Sequence, residues 1–323
     1  MKTTFISQKF LFYGLLIFSL ILSISSDSIL VLWMSLEMNL FAFLTTLVYK
    51  EMKKIEESLM IYFIMQTISS NIFIFSTIMM KMNLLYNYFI LLMMTSMIMK
   101  LGLFPFHFWM ISSVEKMSWT SCMILLTIQK MIPLIILMSF VHYKMFSILL
   151  IFNSLILSIT GLMTLSLRKI LTYSSLNHLT LMMFSTILSK KIMKMYFMLY
   201  LFMSVITMKI FETYNMNFIL QTFLSSKEDK FLLMSLTMVF LSLIGIPPFL
   251  GFLPKLLILM KMIETKLLLM TLVYLFSSVI SSFFYIRVFM TNLIMNFSMT
   301  KWKSKKKMIN FSIFMTFLPI FTI

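Results

Sequence analysis

Alanine occurs once in this chain, at Ala42, cysteine once, at Cys122, arginine twice, at Arg168 and Arg287, and glycine five times. Each scarcity excludes some chemistry. A single cysteine builds neither a disulfide framework nor a cysteine-held iron-sulfur cluster. With so few glycines there is no glycine-rich phosphate loop, which argues against a nucleotide pocket. The histidines, His107, His142 and His178, lie on separate segments without the close spacing of a metal site. Acids are also scarce: ten Asp and Glu against 27 Lys and Arg give a net charge of +17. In a soluble domain that charge would suggest nucleic acid. Here the bases fall mostly between apolar stretches, where they set membrane orientation, so no nucleic-acid partner is expected.

What is abundant is apolar. Of 323 residues 61% are hydrophobic, with mean hydropathy +1.01, more than one water-soluble core could hide, which places the chain among polytopic membrane proteins. The 38 methionines and 35 phenylalanines belong with the missing alanine and arginine, because residues with GC-rich codons are the ones lacking. An AT-rich genome, read by a mitochondrial code that translates AUA as Met, accounts for both. Methionine as a filler of irregular gaps would explain only the excess. Met1 to Lys9 carries no Arg-rich amphipathic transit sequence, as expected of a protein made inside the organelle.

Spans of about 20 apolar residues cross a hydrocarbon layer of roughly 30 Å. Cutting the sequence at charged and proline-rich breaks gives about eleven, near 7–25, 29–49, 58–80, 84–104, 118–141, 145–166, 172–189, 193–215, 231–260, 267–292 and 308–323. The last is short and contains Pro319, and 231–260 is too long for one span. Bases in the loops on the N-terminal side outnumber those opposite, so the N-terminus is predicted in the matrix and the C-terminus in the intermembrane space. Gly102 to Phe106 and Gly245 to Phe249 share the pattern G-x-x-P-F. Around them gather Gly102, Pro105, Gly245, Pro247, Pro248, Gly251 and Pro254, helix breakers where a bilayer tolerates them least. Such breaks face protein or a wet cavity, and matched pairs mark transport pathways. They fall in the fourth and ninth spans, an odd offset that inverts one copy relative to the other. The expected organisation is a first five-helix repeat at 1–143, broken near 100–106, a second inverted repeat at 144–294, broken near 245–255, and a basic loop with a C-terminal helix at 295–323. An ordinary kink or re-entrant loop at each break is the simpler alternative.

Ionisable residues inside these stretches are the candidate site, because an ionisable group in hydrocarbon is costly and by default reads as a step on an ion or proton path. Glu37 is the acid placed deepest. Lys100, just before the first break, is its natural counter-ion: at about 4 Å the attraction is about 4 kcal/mol for an effective dielectric of 20, against about 1 kcal/mol in water. A purely structural ion pair would have the same residues. Lys130, between Gln129 and Pro133, has no acid within a helical turn and reads as a proton acceptor and donor, or as a lysine snorkelling to the interface. Lys255 follows the second break, where freed carbonyls and water could solvate it. His178 shares a face with Ser174 and could bridge a water chain or be a hydrogen-bonded core histidine. Gln66, Ser69 and Ser70 form a polar stripe that reads equally as helix-helix glue. Lys209, Glu212 and the lysines at 301–307 read as interface or solvated loop.

Glu37 in Leu36 to Asn39, Lys100 to Trp109, Gln129 to Pro133, Ser166 to Lys169, Ser174 to Leu179 and Gly245 to Lys255 carry a resemblance covering almost the whole chain. It resembles the subunit 2 family of mitochondrial NADH:ubiquinone oxidoreductase, respiratory complex I. The resemblance implies an all-α polytopic membrane protein with an antiporter-like fold of two inverted five-helix repeats, in the inner mitochondrial membrane. Metazoan members lack three N-terminal helices of bacterial relatives, in keeping with eleven spans. It further implies that Glu37 and Lys100 pair, that Lys130 is the central buried lysine, that His178 belongs to the linking hydrophilic axis and that Lys255 is the terminal lysine. No cofactor is expected on this chain. NADH, FMN, iron-sulfur clusters and ubiquinone belong to other subunits, whose electron transfer would drive proton release. Implied partners are neighbouring membrane-arm subunits, accessory subunits and phospholipid including cardiolipin. Thr180-Leu181 replaces the family's Gly-Trp after His178, and Lys116 replaces its glycine after Glu115. A cation/proton antiporter outside complex I and a non-conducting scaffold are the alternatives.

Overall fold

The structure, a computed structural model, describes residues 2–50, 56–82, 86–140, 143–222 and 230–296. Within them the chain is nearly all helical, with an isolated antiparallel bridge between Ser166 and Phe218. Among the described residues five helices are long and apolar enough to cross a membrane: Ile29–Val48, Glu56–Lys81, Trp119–Ser139, Lys190–Thr213 and Leu268–Thr291. Shorter apolar helices accompany them at Leu11–Ser25, Asn87–Leu101, Phe146–Gly161 and Met234–Ile244. The expected span at 308–323, the lysines at 301–307 and His142 lie outside the described residues.

Polarity is distributed as lipid requires. Leu11, Ile17, Phe41 and Phe276 are largely exposed, whereas Ser35, Ser69, Ser96 and Ser185 are sealed inside. The sealed hydroxyls donate to carbonyls of their own helices, Ser69 to Gln66 O at 2.8 Å and Ser96 to Met93 O at 2.6 Å. They therefore add no unsatisfied group to an interior without water, and their small size lets helices approach closely.

The chain divides into two compact units, Met1–His142 and Tyr143–Ile323. In the first, α1 (Lys2–Ser25) packs on α2 (Ile29–Lys50), and α3 (Glu56–Lys81) lies between α2 and α4 (Tyr86–Leu101). The helix α4 ends at Leu101. Gly102 has φ +67, and a Cβ there would stand 3.1 Å from Met110 Cβ, so the turn needs glycine for both conformation and room. Then α5 (Phe108–Lys116) packs on α3, and α6 (Trp119–Leu126) and α7 (Met131–Phe140) follow. Hydropathy alone predicts 118–141 as a single span. The structure interrupts it with a 3₁₀ turn at Ile128–Lys130. The cause is Pro133, which has no N–H for the carbonyl of Gln129 and whose ring crowds that carbonyl.

In the second unit α8 (Tyr143–Gly161) packs on α9 (Leu167–Leu188), which is followed by α10 (Lys190–Thr213). The Ser189 hydroxyl accepts from Ile192 N and caps α10. The stretch at 231–260 is divided into α11 (Lys230–Ile244) and α12 (Phe252–Glu264), and α13 (Leu268–Asn296) packs along α8 and α11. Arg287 on α13, one of the bases the sequence places inside a span, donates to Leu162 O at 2.6 Å and to Thr164 O. It thereby satisfies carbonyls just beyond the end of α8. Gly161 allows the approach: a Cβ there would lie 2.4 Å from the Phe284 ring.

Candidate functional site

In the first unit, polar groups collect where α4 breaks and where α6 gives way to α7. Lys100 occupies the last turn of α4 and is 6% exposed. Gln66 of α3 donates to its carbonyl at 3.3 Å, and Trp109 Nε1 donates to Met99 O at 3.0 Å, so two side chains take up carbonyls that the break releases. Glu37 is half-buried on α2. Among the described residues no ion pair joins it to Lys100, whereas Lys116 with Glu57 and Lys261 with Glu264 do pair at exposed helix ends.

Lys130 ends the 3₁₀ turn and is 2% exposed. The turn is held by a chain of hydrogen bonds across three segments. Gln129 donates to Asn39 Oδ1 at 3.0 Å, and Tyr62 donates to Gln129 Oε1 at 3.3 Å. Asn39 lies two residues after Glu37, and Tyr62 lies one turn before Gln66 on the buried face of α3. The stripe of Gln66, Ser69 and Ser70 is therefore interior, and Gln66 joins it to the Lys100 break. Hydropathy does not single out Tyr62, Asn39 or Gln129, although amides inside apolar spans carry a signal. His107, 2% exposed, precedes α5 and stacks on Phe108 with ring centroids 4.0 Å apart.

In the second unit Lys255 bends back over the break. Its Nζ donates to Ile244 O at 2.7 Å and Leu243 O at 3.3 Å, the terminal carbonyls of α11, which is the favourable place for a cation. The Tyr274 hydroxyl donates to the Lys255 carbonyl at 3.2 Å. Gly245 has φ +79, and a Cβ on it would lie 3.0 Å from Lys255 Cδ and 3.2 Å from Nζ. Gly251 crosses so close to Ser242 that a Cβ would fall 1.8 Å from the Ser242 carbonyl oxygen. Pro254 is buried in the first turn of α12, where a missing N–H costs nothing, while Pro247 and Pro248 are exposed in the break. Lys255 also borders a cavity of about 340 Å³ shared with Tyr274, Ser278 and Ser282.

His178 lies half-buried on α9 between two phenols. Its Nδ1 is 2.9 Å from the Tyr196 hydroxyl of α10, and its Nε2 is 3.4 Å from the Tyr285 hydroxyl of α13. Tyrosines count with the apolar residues in any hydropathy scale, and nothing in their spacing points to the histidine. Lys209 and Glu212 are exposed, as expected of interface residues. Among the described residues no three His, Cys, Asp or Glu side chains gather as a metal site requires, and Cys122 is a buried packing residue. What the two clusters can hold is protons, on lysine, carboxylate and imidazole.

Helices interrupted at buried lysines, in a chain with a lipid-like exterior, define a transporter-like membrane module. The family model described as NADH:quinone oxidoreductase/Mrp antiporter, transmembrane, matches residues 26–281. The chain belongs to that family. It is 32% identical over 311 residues to the NADH-ubiquinone oxidoreductase chain 2 of Locusta migratoria, covering 94% of this chain and 90% of that one. It is also 32% identical to the chain 2 of Anopheles gambiae over 323 residues, covering 96% and 94%. Among solved structures it is similar to a chain of respiratory complex I from Thermus thermophilus with bound aureothin, at TM-score 0.79 and 16% identity, covering 87% of this chain and 70% of that one. It is likewise similar to a chain of the Mrp complex from Dietzia, at TM-score 0.74 and 11% identity, covering 86% and 59%.

Proposed function

We propose that this chain is a core membrane-arm subunit of NADH:ubiquinone oxidoreductase in the inner mitochondrial membrane. It acts as an antiporter-like module that contributes to proton translocation coupled to electron transfer in other subunits. The observation that carries this reading is the placing of Lys130 and Lys255, each at an interruption in an otherwise membrane-like helix, together with near full-length similarity to chain 2 of insects. A lysine at a helix break can be solvated by released carbonyls in one state and give up its proton in another, which a lysine in continuous helix within lipid cannot do as cheaply. Each proton moved against 100 mV needs about 2.3 kcal/mol. That is of the size that gaining or losing one charged neighbour supplies at an effective dielectric of 20.

Within this reading Glu37 and Lys100 work as a pair whose separation changes with the state of Lys130, His178 continues the axis, and Lys255 is its terminal site. About eleven spans arranged as two inverted repeats are supported by the G-x-x-P-F pattern at both breaks. The recurring order of helix neighbours in the two units also supports them: α3 on α4 and α5 in one, α10 on α11 and α12 in the other. The N-terminus lies in the matrix and the C-terminus in the intermembrane space. Neighbours are other membrane-arm subunits, accessory subunits and phospholipid including cardiolipin.

Mild-detergent mitochondrial membranes separated on a native gel, stained for NADH oxidation and searched for peptides of this chain, test the proposal. The chain is expected in the large NADH-oxidising band. Migration apart from that band would overturn the proposal and leave a cation/proton antiporter, the reading that the likeness to an Mrp chain favours.

A further inference from the structure

An ammonium group has three N–H donors, and Lys255 has used two of them, on Ile244 O and Leu243 O. One is left over. Among the described residues no carboxylate pairs with this lysine, whereas Lys261, further along α12, is paired with Glu264. A cation inside hydrocarbon without a counter-charge is costly. It borders a cavity of about 340 Å³, within the range of small-molecule sites, about 300 to 1,000 Å³. The walls are chiefly apolar, formed by Phe252, Leu256 and Leu259 of α12 and Val279 of α13. Val279 is 56% exposed, so the cavity opens on the outer face of the second unit, toward lipid. Ser278 and Ser282, on successive turns of α13, add two hydroxyls. Each now donates to a carbonyl of its own helix, Leu275 O at 2.8 Å and Val279 O at 2.6 Å, and either can turn to donate into the cavity.

These groups select their occupant. A plain hydrocarbon would leave the third N–H without a partner, and an amine would meet a like charge. A carboxylate accepts that N–H, supplies the missing charge and has a second oxygen for the serines. Depth narrows the choice further. Lys255 lies ten residues before Thr265, the residue that ends α12, which is about 15 Å of helix and about half of a hydrocarbon layer of roughly 30 Å. A phospholipid headgroup stays at the interface, whereas a single-chain carboxylic acid enters hydrocarbon as the neutral acid. We propose that this cavity binds a long-chain fatty acid, its carboxylate on Lys255 and the serine hydroxyls and its chain along Phe252, Leu256, Leu259 and Val279. Gly245 makes room for the head: a Cβ there would lie 3.2 Å from Lys255 Nζ.

The test is photolabelling in the native membrane. Mitochondrial membranes are incubated with palmitic acid bearing a photoreactive diazirine on its chain, irradiated and dissolved, and peptides of this chain are searched for the adduct. Label is expected on α12 and on the middle of α13. Unlabelled palmitate should displace it. Hexadecanol, which has the same chain without the carboxyl, should compete about tenfold or more less well, the scale of losing a charge-assisted hydrogen bond, and phosphatidylglycerol should not compete. Equal competition by hexadecanol would overturn carboxylate recognition, and displacement by phosphatidylglycerol would replace the fatty acid with a phospholipid. Absence of label from both helices, the result if a neighbouring subunit fills the cavity, would overturn the site. Val279→Trp, which blocks the mouth, should lose the label, while Phe276→Trp, 64% exposed and outside the cavity, should keep it. If Val279→Trp does not accumulate, the competition series on the unaltered chain decides. None of these readouts depends on which complex the chain joins, so the site and the function proposed above fail separately.

Discussion

Replacing Gly245 by alanine would put a methyl group 3.0 Å from Lys255 Cδ at a residue whose φ is +79. The left-handed backbone alone costs about 1 to 2 kcal/mol for an L residue, and the crowding would push the ammonium off the α11 carbonyls. Gly245→Ala is therefore expected to lower the heat stability of the assembled complex and to reduce coupled turnover. A thermal series read on native gels, with proton uptake measured in parallel, checks both. Lys130→Met separates charge from packing, since methionine keeps much of the apolar volume and removes a buried cation. Stability should hold or rise, because a buried charge is a weak source of stability, while proton yield per NADH falls. An unchanged yield would favour the non-conducting scaffold. Gln129→Leu leaves the acceptor of Asn39 and the donor of Tyr62 without the partner they share, and should cost about 1 to 3 kcal/mol.

Between α6 and α7, Pro133 interrupts what would otherwise continue as one helix. Pro133→Ala restores an N–H to the Gln129 carbonyl, so the turn at Ile128–Lys130 should become α-helical. The added bond favours stability, but it rotates Lys130 and breaks the register of Gln129 with Asn39. The expected outcome is an assembled complex at least as heat-stable as wild type with reduced coupled turnover. Full coupling would mean the 3₁₀ turn is incidental. Arg287 works at the same scale, since its guanidinium fork ties α13 to the carbonyls beyond α8. Arg287→Met should destabilise by about 2 kcal/mol, the range of a charge-assisted hydrogen bond. Arg287→Lys should recover only part of that loss, because a single ammonium cannot reproduce the fork.

Across the whole molecule the testable consequence is sidedness. The proposed orientation, with the N-terminus in the matrix, expects Lys81 and Lys190 on the intermembrane-space side and Lys209 on the matrix side; all three are exposed. An impermeant amine reagent added to mitoplasts should modify Lys81 and Lys190 and spare Lys209 until the membrane is opened. The opposite pattern would invert the topology. Sidedness decides which cavity faces which compartment, and so the direction in which protons move.

Much of the site could be read from the sequence because lipid is an unforgiving solvent. Lys100, Lys130 and Lys255 stood out for being charged where charge is costly, and Gly102 and Gly245 for breaking helices where breaks are costly. Their partners were silent for the opposite reason. Tyr62, Tyr196, Tyr274 and Tyr285 pass as apolar residues in any hydropathy count, and their hydroxyls acquire meaning only from what another helix places beside them. Pro133 was visible as a residue, but its effect on Gln129 depends on both lying in one helix, which is a matter of register rather than composition.

The sequence by itself determined that the chain is helical, lives in lipid and carries broken helices beside buried bases, because hydropathy, glycine, proline and charge act locally. Only the tertiary structure decided that Lys255 caps α11 and that Gln129 joins Asn39 to Tyr62. Only the tertiary structure, too, set His178 between two phenols. Those facts depend on side chains from helices as many as 107 residues apart in the chain meeting within hydrogen-bond reach, and no local preference encodes such a meeting.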